Sequence, residues 1–236
     1  MTIAASMSLV GCSYDVSFND CEVTCAGDSG CPDGFSCVQN VCRVDGNQGA
    51  CAAPGSLVLR QTVDDKVDRN LVFACTNTDG TTADGSWYRV FSPADSGVTT
   101  VFHVTDVTFG ICFAVGTPHV TAKISTYAGG FNDTTLDLAK LNLVQMVDVA
   151  VPPTQITELV HAPFAADIPV GSLVVAEIVT SNLMGTSQQV NIGSTDSSET
   201  HPAYVKAPTC GTLDAKTTSA AGLTDANFVI TVTGAH

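Results

Sequence analysis

The stretch Val120-Thr-Ala-Lys-Ile-Ser125 decides the fold. Apolar and polar side chains alternate along it, and a period of two is typical of a β-strand with one buried and one solvated face. Phe228–Thr233 repeats the pattern near the C-terminus. Long patterns with the 3.6-residue period of an amphipathic helix are nearly absent from residues 52–236.

Short apolar runs separated by Gly, Asp, Asn, Thr and Ser fill the rest of this region. The predicted strands are Leu57–Gln61, Ser86–Phe91, Thr100–Val104, Val107–Val115, Val144–Val151, Ser172–Val179 and Gln188–Ile192. Leu136–Leu143 is the stretch that favours a helical turn. Many short strands at regular spacing predict that residues 52–236 form an all-β domain, a β-sandwich of the jelly-roll or Greek-key type.

Charge excludes two classes of partner. The chain of 236 residues carries 9 Lys and Arg against 23 Asp and Glu, a formal net charge of −14. Affinity for nucleic acid depends on cationic side chains that displace counterions from phosphates. Attraction to an anionic membrane surface depends on them as well. We therefore expect no nucleic-acid partner, and membrane association only through a lipid anchor.

The cysteines concentrate near the N-terminus and indicate an oxidising compartment, because ten cysteines are too many for a reducing cytosol without metal or redox chemistry. Zinc modules use paired C-x2-C knuckles or paired histidines, whereas these gaps are longer and the first histidine is His103. We predict that residues 13–51 form a small disulfide-rich module. Its candidate disulfide cysteines are Cys21, Cys25, Cys31, Cys37, Cys42 and Cys51.

Residues 1–12 have the composition of an export signal. Residues 1–11 are uncharged, small and apolar, like the later part of a secretory signal. Leu9-Val-Gly-Cys12 resembles the signal of bacterial lipoproteins, which implies cleavage before Cys12 and a diacyl anchor on that residue. The alternative is a shortened signal with Cys12 in a disulfide. Both predict an extracellular or outer-membrane surface location.

The cysteine spacing resembles a known repeat. The string C-x5-C-P-D-G-F-x-C-x4-C, which ends at Cys42, is similar to short repeats near the start of myxobacterial secreted proteins and lipoproteins. The resemblance implies a stalk between anchor and payload.

A second resemblance concerns residues 70–234. Cys75-Thr-Asn-Thr-Asp-Gly80 and Asp84-Gly-Ser-Trp-Tyr-Arg-Val-Phe91 resemble parts of the accessory β-sandwiches appended to secreted peptidases and surface proteins. The resemblance implies a role in attachment or secretion, and it implies a disulfide between Cys75 and Cys210. If Cys12 carries lipid, nine cysteines remain, and Cys112 is the candidate for the unpaired thiol.

No catalytic motif is assembled in the sequence, so we expect no catalytic residues and no enzymatic activity. The histidines form neither H-x-x-x-H nor H-E-x-x-H, and no G-x-S-x-G elbow occurs. A site built from distant residues remains an alternative. A hydrolase of this kind requires two or three members of one set to converge in a cleft: His103, His119, His161, Asp84 and Asp133.

The acidic residues suggest a structural Ca²⁺. Asn77, Asp79 and Asp84 are the densest cluster, and Ca²⁺ binds carboxylate and carbonyl oxygens. The other interpretation is that Asp stabilises turns through its own backbone.

The leading functional prediction is a surface-displayed, non-enzymatic module that binds protein, glycan or its own copies through sandwich loops. Carbohydrate recognition usually needs exposed aromatic rings. We expect Trp87 in the core and its neighbour Tyr88 on the opposite face, since adjacent strand residues point to opposite sides. Tyr14 and Tyr127 are the remaining candidates for exposed rings. A structural subunit of an envelope layer or filament is a further alternative.

Overall fold

The computed structural model describes residues 25, 30–38, 41–45, 56–223 and 226–236. The chain divides into two compact units, 1–54 and 55–236. Three predictions lie outside the described residues: the signal at 1–12 with Cys12, the assignment of Cys21 and Cys51 as disulfide cysteines of unspecified partners, and the exposure of Tyr14.

The described part of the first unit is an antiparallel hairpin of β1 (Phe35–Val38) and β2 (Val41–Val44). Disulfides join Cys25 to Cys37 and Cys31 to Cys42. Every residue of β1 is only half-buried, so the hairpin has little apolar core and cross-links must stabilise it. The prediction of a disulfide-rich N-terminal region is confirmed.

The second unit consists of two seven-stranded antiparallel sheets. In the first sheet, β15, β12, β6, β16 and β3 lie in that order, with β10 added to β6 and β4 added to β12. Its strands are β3 (Ser56–Leu59), β4 (Asp68–Phe73), β6 (Phe102–Val115), β10 (Glu158–Ile168), β12 (Gln189–Thr195), β15 (Asn227–Phe228) and β16 (Ile230–Ala235).

The second sheet has the order β8, β14, β13, β5, β11, β7, β9. Its strands are β5 (Gly85–Phe91), β7 (His119–Tyr127), β8 (Thr135–Leu136), β9 (Leu141–Ala150), β11 (Leu173–Thr180), β13 (Ala203–Ala207) and β14 (Thr212–Thr217). Short 3-10 helices occur at Ala94–Ser96, Leu138–Lys140 and Pro208–Cys210. The described residues contain no helix long and apolar enough to cross a lipid bilayer.

The main core lies between the two sheets. Alternate residues of each strand point into it, including Val120, Ala122 and Ile124, which are all buried. Trp87 is also buried there and meets Phe228 of the other sheet edge-to-face. The all-β sandwich prediction is confirmed.

A second, smaller core lies on the outer face of the second sheet. It contains Tyr88, Tyr127 and Tyr204, and residues 128–140, here called the strap, contribute Phe131 and Leu138 to it. The strap is the connection from β7 to β9. The expectation that Tyr127 is exposed is wrong, because a sheet face that the alternation marks as solvated is covered by this connection.

Several strand boundaries differ from the prediction. Thr100–Val104 and Val107–Val115 contribute to one strand, β6, because Asp106 pairs with both neighbouring strands and the strand continues through an irregularity at Thr105. The helical turn predicted at Leu136–Leu143 is a single 3-10 turn, and the chain is already in β9 from Leu141.

In the first sheet, the side chain of Val67 packs directly against the backbone at two glycines. Gly110 and Gly193 lie beneath Val67, which packs with Cys112 and Val229 in a small buried cluster. A Cβ atom at Gly110 would lie 2.6 Å from Cγ2 of Val67. Glycine is therefore required there for packing rather than for a special backbone angle.

We expect Gly110→Ala to lower the free energy of unfolding by about 1–3 kcal/mol, because an inserted methyl group overpacks a filled site. Combining it with Val67→Ala should restore part of the loss, so that the double variant is more stable than the sum of the single effects predicts. Urea denaturation of the four proteins measures this. Strict additivity would contradict the proposed contact.

Candidate functional site

The outer face of the second sheet is open beyond the strap and forms a shallow cleft of about 410 Å³. The strap and the start of β9 close one end with the apolar side chains of Leu138 and Leu141. The polar lining comes from the sheet itself: Asp84, Ser86, Tyr88, Lys123, Glu177, Thr180 and Lys206. Two of the nine cationic side chains of this acidic protein therefore meet in one cleft.

Strand register places the central residues of the cleft in one row. Glu177 on β11 lies opposite Tyr88 on β5 and, on its other side, opposite Lys123 on β7. Lys123 in turn lies opposite Met146 on β9. The Nζ atom of Lys123 is 3.3 Å from Oε2 of Glu177, and both side chains are partly buried. Opposite charges facing each other across antiparallel strands stabilise this register.

The phenol groups beside the cleft keep their protons at neutral pH. Burial raises the pKa of Tyr88 far above its ordinary value, and the negative charge of Glu177 raises it further. Burial likewise raises the pKa of Tyr204 to about 12, with smaller contributions from Tyr127 and Asp133. Neither group can act as a base near neutral pH, and the Tyr204 hydroxyl already donates to the carbonyl oxygen of Asp133 at 2.8 Å.

These shifts predict instability at high pH. Between about pH 10 and pH 12 the unfolded chain ionises Tyr204 while the folded chain keeps it protonated. The unfolded state then binds fewer protons, so the free energy of unfolding falls by about 1.4 kcal/mol per pH unit for this group. Tyr204→Phe should make that decline shallower, and Tyr88 should still contribute to it.

Urea unfolding of both proteins at a series of pH values tests the prediction. At neutral pH the variant should lose only about 1 kcal/mol, the value of one buried hydrogen bond. If the free energy of unfolding fell equally with pH in the two proteins, Tyr204 would not be the cause of the instability at high pH.

The strap is held down by polar contacts as well as by its apolar side chains. The ring of Phe131 stacks on the ring of His201 with centroids 4.0 Å apart. Nδ1 of His201 lies 2.8 Å from Oδ1 of Asn132. The Tyr127 hydroxyl accepts a hydrogen bond from the backbone N–H of Asp137 at 3.2 Å. The end wall of the cleft is therefore held in place by contacts within the fold.

The histidines and acids of the hydrolase alternative do not meet in this cleft. His103 pairs with Asp167 at 2.6 Å and His119 pairs with Asp148 at 2.5 Å, both through Nδ1. Of the five residues in that set, only Asp84 lines the cleft, and its Oδ1 accepts a hydrogen bond from Thr209 at 2.6 Å. Among the described residues, no hydrogen bond or ion pair joins one member of the set to another.

His161 lies near a hydroxyl and a carboxylate, but the geometry differs from that of a triad. Its Nδ1 atom is 3.0 Å from Thr108 Oγ1 and 3.1 Å from Asp106 Oδ2. A catalytic histidine needs both ring nitrogens, one for the nucleophile and one for the carboxylate. Here both partners compete for the same nitrogen.

The residues predicted for Ca²⁺ are engaged in turn formation. Asp79 accepts hydrogen bonds from the Thr81 hydroxyl at 2.6 Å and from the Gly185 backbone N–H at 2.9 Å. These bonds, that from Thr81 first, hold the pKa of the Asp79 carboxyl below its ordinary value. The Asn77 amide group donates to Thr81 and to Asn182. Calcium binding at this cluster stays a prediction.

The cysteines of the sandwich are a disulfide and a thiol. Cys75 is bonded to Cys210, as the resemblance implied. Cys112 is buried and is the free cysteine among the described residues, with its Sγ 3.5 Å from the carbonyl oxygen of Arg69. Burial raises the pKa of this thiol, which makes it a poor nucleophile. The single group of described metal-ligand side chains, Cys25, Cys31 and Cys42, consists of disulfide-bonded sulfurs.

Comparison with known proteins gives no family. No family model matches the chain, and no curated protein does. One similar solved structure is the clostridial cysteine protease Cwp84 after propeptide cleavage, with a TM-score of 0.49 and 8% identity. The match covers 84% of this chain but only 45% of the protease chain. So weak a similarity supports no inference about function.

The row of Tyr88, Glu177 and Lys123 was not among the predicted site residues. A signal for it does exist in the sequence. Lys123 and Glu177 both occupy polar positions of predicted strands, on the face opposite the core. Their cross-strand register could not be predicted, because residues 128–172 separate the two strands along the chain.

Proposed function

We propose that the chain is an exported, non-enzymatic binding module, and that its sandwich contacts a protein partner through the open outer face of the second sheet. The observation that carries this proposal is the cleft of Tyr88, Glu177, Lys123 and Lys206. It is shallow and open, its lining combines charged with apolar side chains, and it adjoins exposed apolar side chains on β9. Export is supported by disulfides in both units, which form in oxidising compartments.

A protein partner fits this face better than a glycan does. Glycans stack on exposed aromatic rings, yet no described aromatic side chain is exposed, and both Trp87 and Tyr88 are buried. Protein interfaces instead combine apolar anchors with a polar rim. Assembly into a layer of identical copies is opposed by mutual repulsion at a net charge of −14.

The experiment compares the wild type with Glu177→Gln, which removes one negative charge of the cleft. Asp214→Asn on β14, which is outside the cleft lining, is the matched control. We expect saturable, protease-sensitive binding to envelopes of the cells that make the protein, weakened about tenfold (roughly 1.4 kcal/mol) by Glu177→Gln and unchanged in the control. Turnover on a panel of hydrolase substrates, or glycan-array binding insensitive to Glu177→Gln, would contradict the proposal.

A further inference from the structure

The second sheet ends beside the cleft in an edge strand, β9. β9 is the last strand of that sheet, and its ladder partner is β7. β10 of the other sheet runs nearby, and the Ala165 backbone N–H donates to Oε1 of Gln145 at 3.0 Å. Among the described residues, however, no backbone hydrogen bond joins β9 to β10. In the part of the chain that the structure describes, the outward N–H and C=O groups of β9 therefore have no ladder partner, as is typical of an edge strand.

The side chains of β9 make this edge unusually apolar. Leu143 is 51% exposed and Met146 is 61% exposed, with Val144 exposed between them. Long, exposed, apolar edge strands are sites where natural proteins pair with other chains unless a charge, a proline or a bulge prevents it. The ladder to β7 has its irregularity at Val144, so the register from Gln145 to Ala150 is regular.

The charges around this strand favour a basic partner. Asp137 precedes β9 and Asp148 lies near its end, and both carboxylates are about half exposed. Asp167 on β10 is more exposed still. Lys123 pairs with Glu177 and Lys140 with Asp137, whereas the carboxylates of Asp148 and Asp167 lie beside His119 and His103, which count as neutral in the formal charge. A formal charge of −14 adds long-range attraction for cations.

We propose that β9 binds an extended, basic polypeptide segment of a protein partner, which adds to the second sheet as an eighth strand. Main-chain hydrogen bonds to β9 supply affinity in this mode, and alternate side chains supply specificity. Apolar side chains of the segment pack on Leu143 and Met146, and its Lys or Arg side chains lie near Asp137 and Asp148. The inference rests on the proposed binding function and names the chemistry of the partner.

The probe is a fluorescent peptide of about ten residues, long enough to span β9, in which valine alternates with threonine and lysine stands at both ends. A second peptide has glutamate in place of lysine. A third carries N-methyl groups on alternate backbone nitrogens, which blocks one edge of the added strand. We expect the lysine peptide to bind at least about tenfold more tightly than either of the others, with affinity that falls as salt is added.

Met146→Lys is the test variant, because a lysine on an edge strand opposes pairing with a basic segment. Leu213→Lys on β14 is the matched control, since Leu213 is equally exposed but lies on another strand. Only the first should weaken binding, and hydrogen exchange should slow at amides within residues 142–149 when the peptide is added. Equal binding of the N-methylated peptide, unchanged exchange in β9, or self-association of the protein through this edge would overturn the inference.

Envelope binding separates the two proposals. If Glu177→Gln weakens it and Met146→Lys does not, strand addition at β9 is wrong while the proposed function stands. If neither variant weakens it, both are wrong.

Discussion

Replacing Cys75 and Cys210 together with alanine should lower the free energy of unfolding by about 5 kcal/mol. The bond joins residues 135 apart in sequence, from just after β4 to just before β14. A cross-link over so long a loop removes much of the conformational entropy of the unfolded chain, and the entropy returns when the bond is removed. Urea denaturation measures the loss, and a steeper dependence on urea should accompany it because the unfolded chain expands.

Cys112→Ala provides the control for packing. Cys112 and Cys75 are equally buried, and each loses one sulfur atom in the alanine variant. Without a cross-link to remove, the Cys112 variant should lose only about 1 kcal/mol, the effect of a small cavity. A comparable loss in both proteins would show that sulfur packing stabilises the domain and that the cross-link contributes little.

The sequence predicted the layer between the sheets well, because that layer depends on local alternation alone. In β7 the apolar residues of the alternating pattern, Val120, Ala122 and Ile124, are buried in the core between the sheets. β10 was missed for a physical reason: it contains Pro163, and proline is excluded from central strands. The structure places Pro163 on an edge strand, beside an irregularity of its ladder to β6.

The candidate site was not predictable to the same degree. Its chemistry depends on which strands are neighbours, and β7 meets β11 only after the chain has passed through the strap, β9 and β10. The strap also covers Tyr127 and Tyr204, which alternation alone places on a solvated face. Long-range register and the position of a covering loop are set by tertiary packing, which a single sequence does not encode locally.

Arg89 is a charged residue that the strand pattern places in the core, but the sequence does not show which groups compensate its charge. It occupies an inward position of β5, between Trp87 and Phe91, where a charge requires partners. The guanidinium is fully buried and donates to the Phe228 carbonyl oxygen of the first sheet at 2.8 Å and to Glu199 Oε2 at 2.6 Å. Burial lowers the pKa of Arg89, and the charge of Glu199 opposes that shift. The residue thus joins the two sheets through a compensated buried charge.

Removing either partner should therefore be costly. We expect Glu199→Ala to lower the free energy of unfolding by about 3 kcal/mol, because it leaves a buried guanidinium without its counter-ion. Arg89→Met should lose a similar amount, since the Phe228 and His201 carbonyl oxygens lose their donor. The double variant should lose less than the sum, because neither charge is then left alone.

Arg60→Met is the control for this cycle, since Arg60 and Asp65 form a solvent-exposed pair at 3.5 Å. An exposed pair contributes at most about 1 kcal/mol, so this variant should unfold almost as the wild type does. Denaturant unfolding of all five proteins at neutral pH makes the comparison. Additive losses from Arg89 and Glu199 would mean that the two charges are stabilised independently of each other. A coupled loss would instead show that the charge of Glu199 stabilises the buried guanidinium of Arg89, which links β5 to the Phe228 carbonyl oxygen of the first sheet.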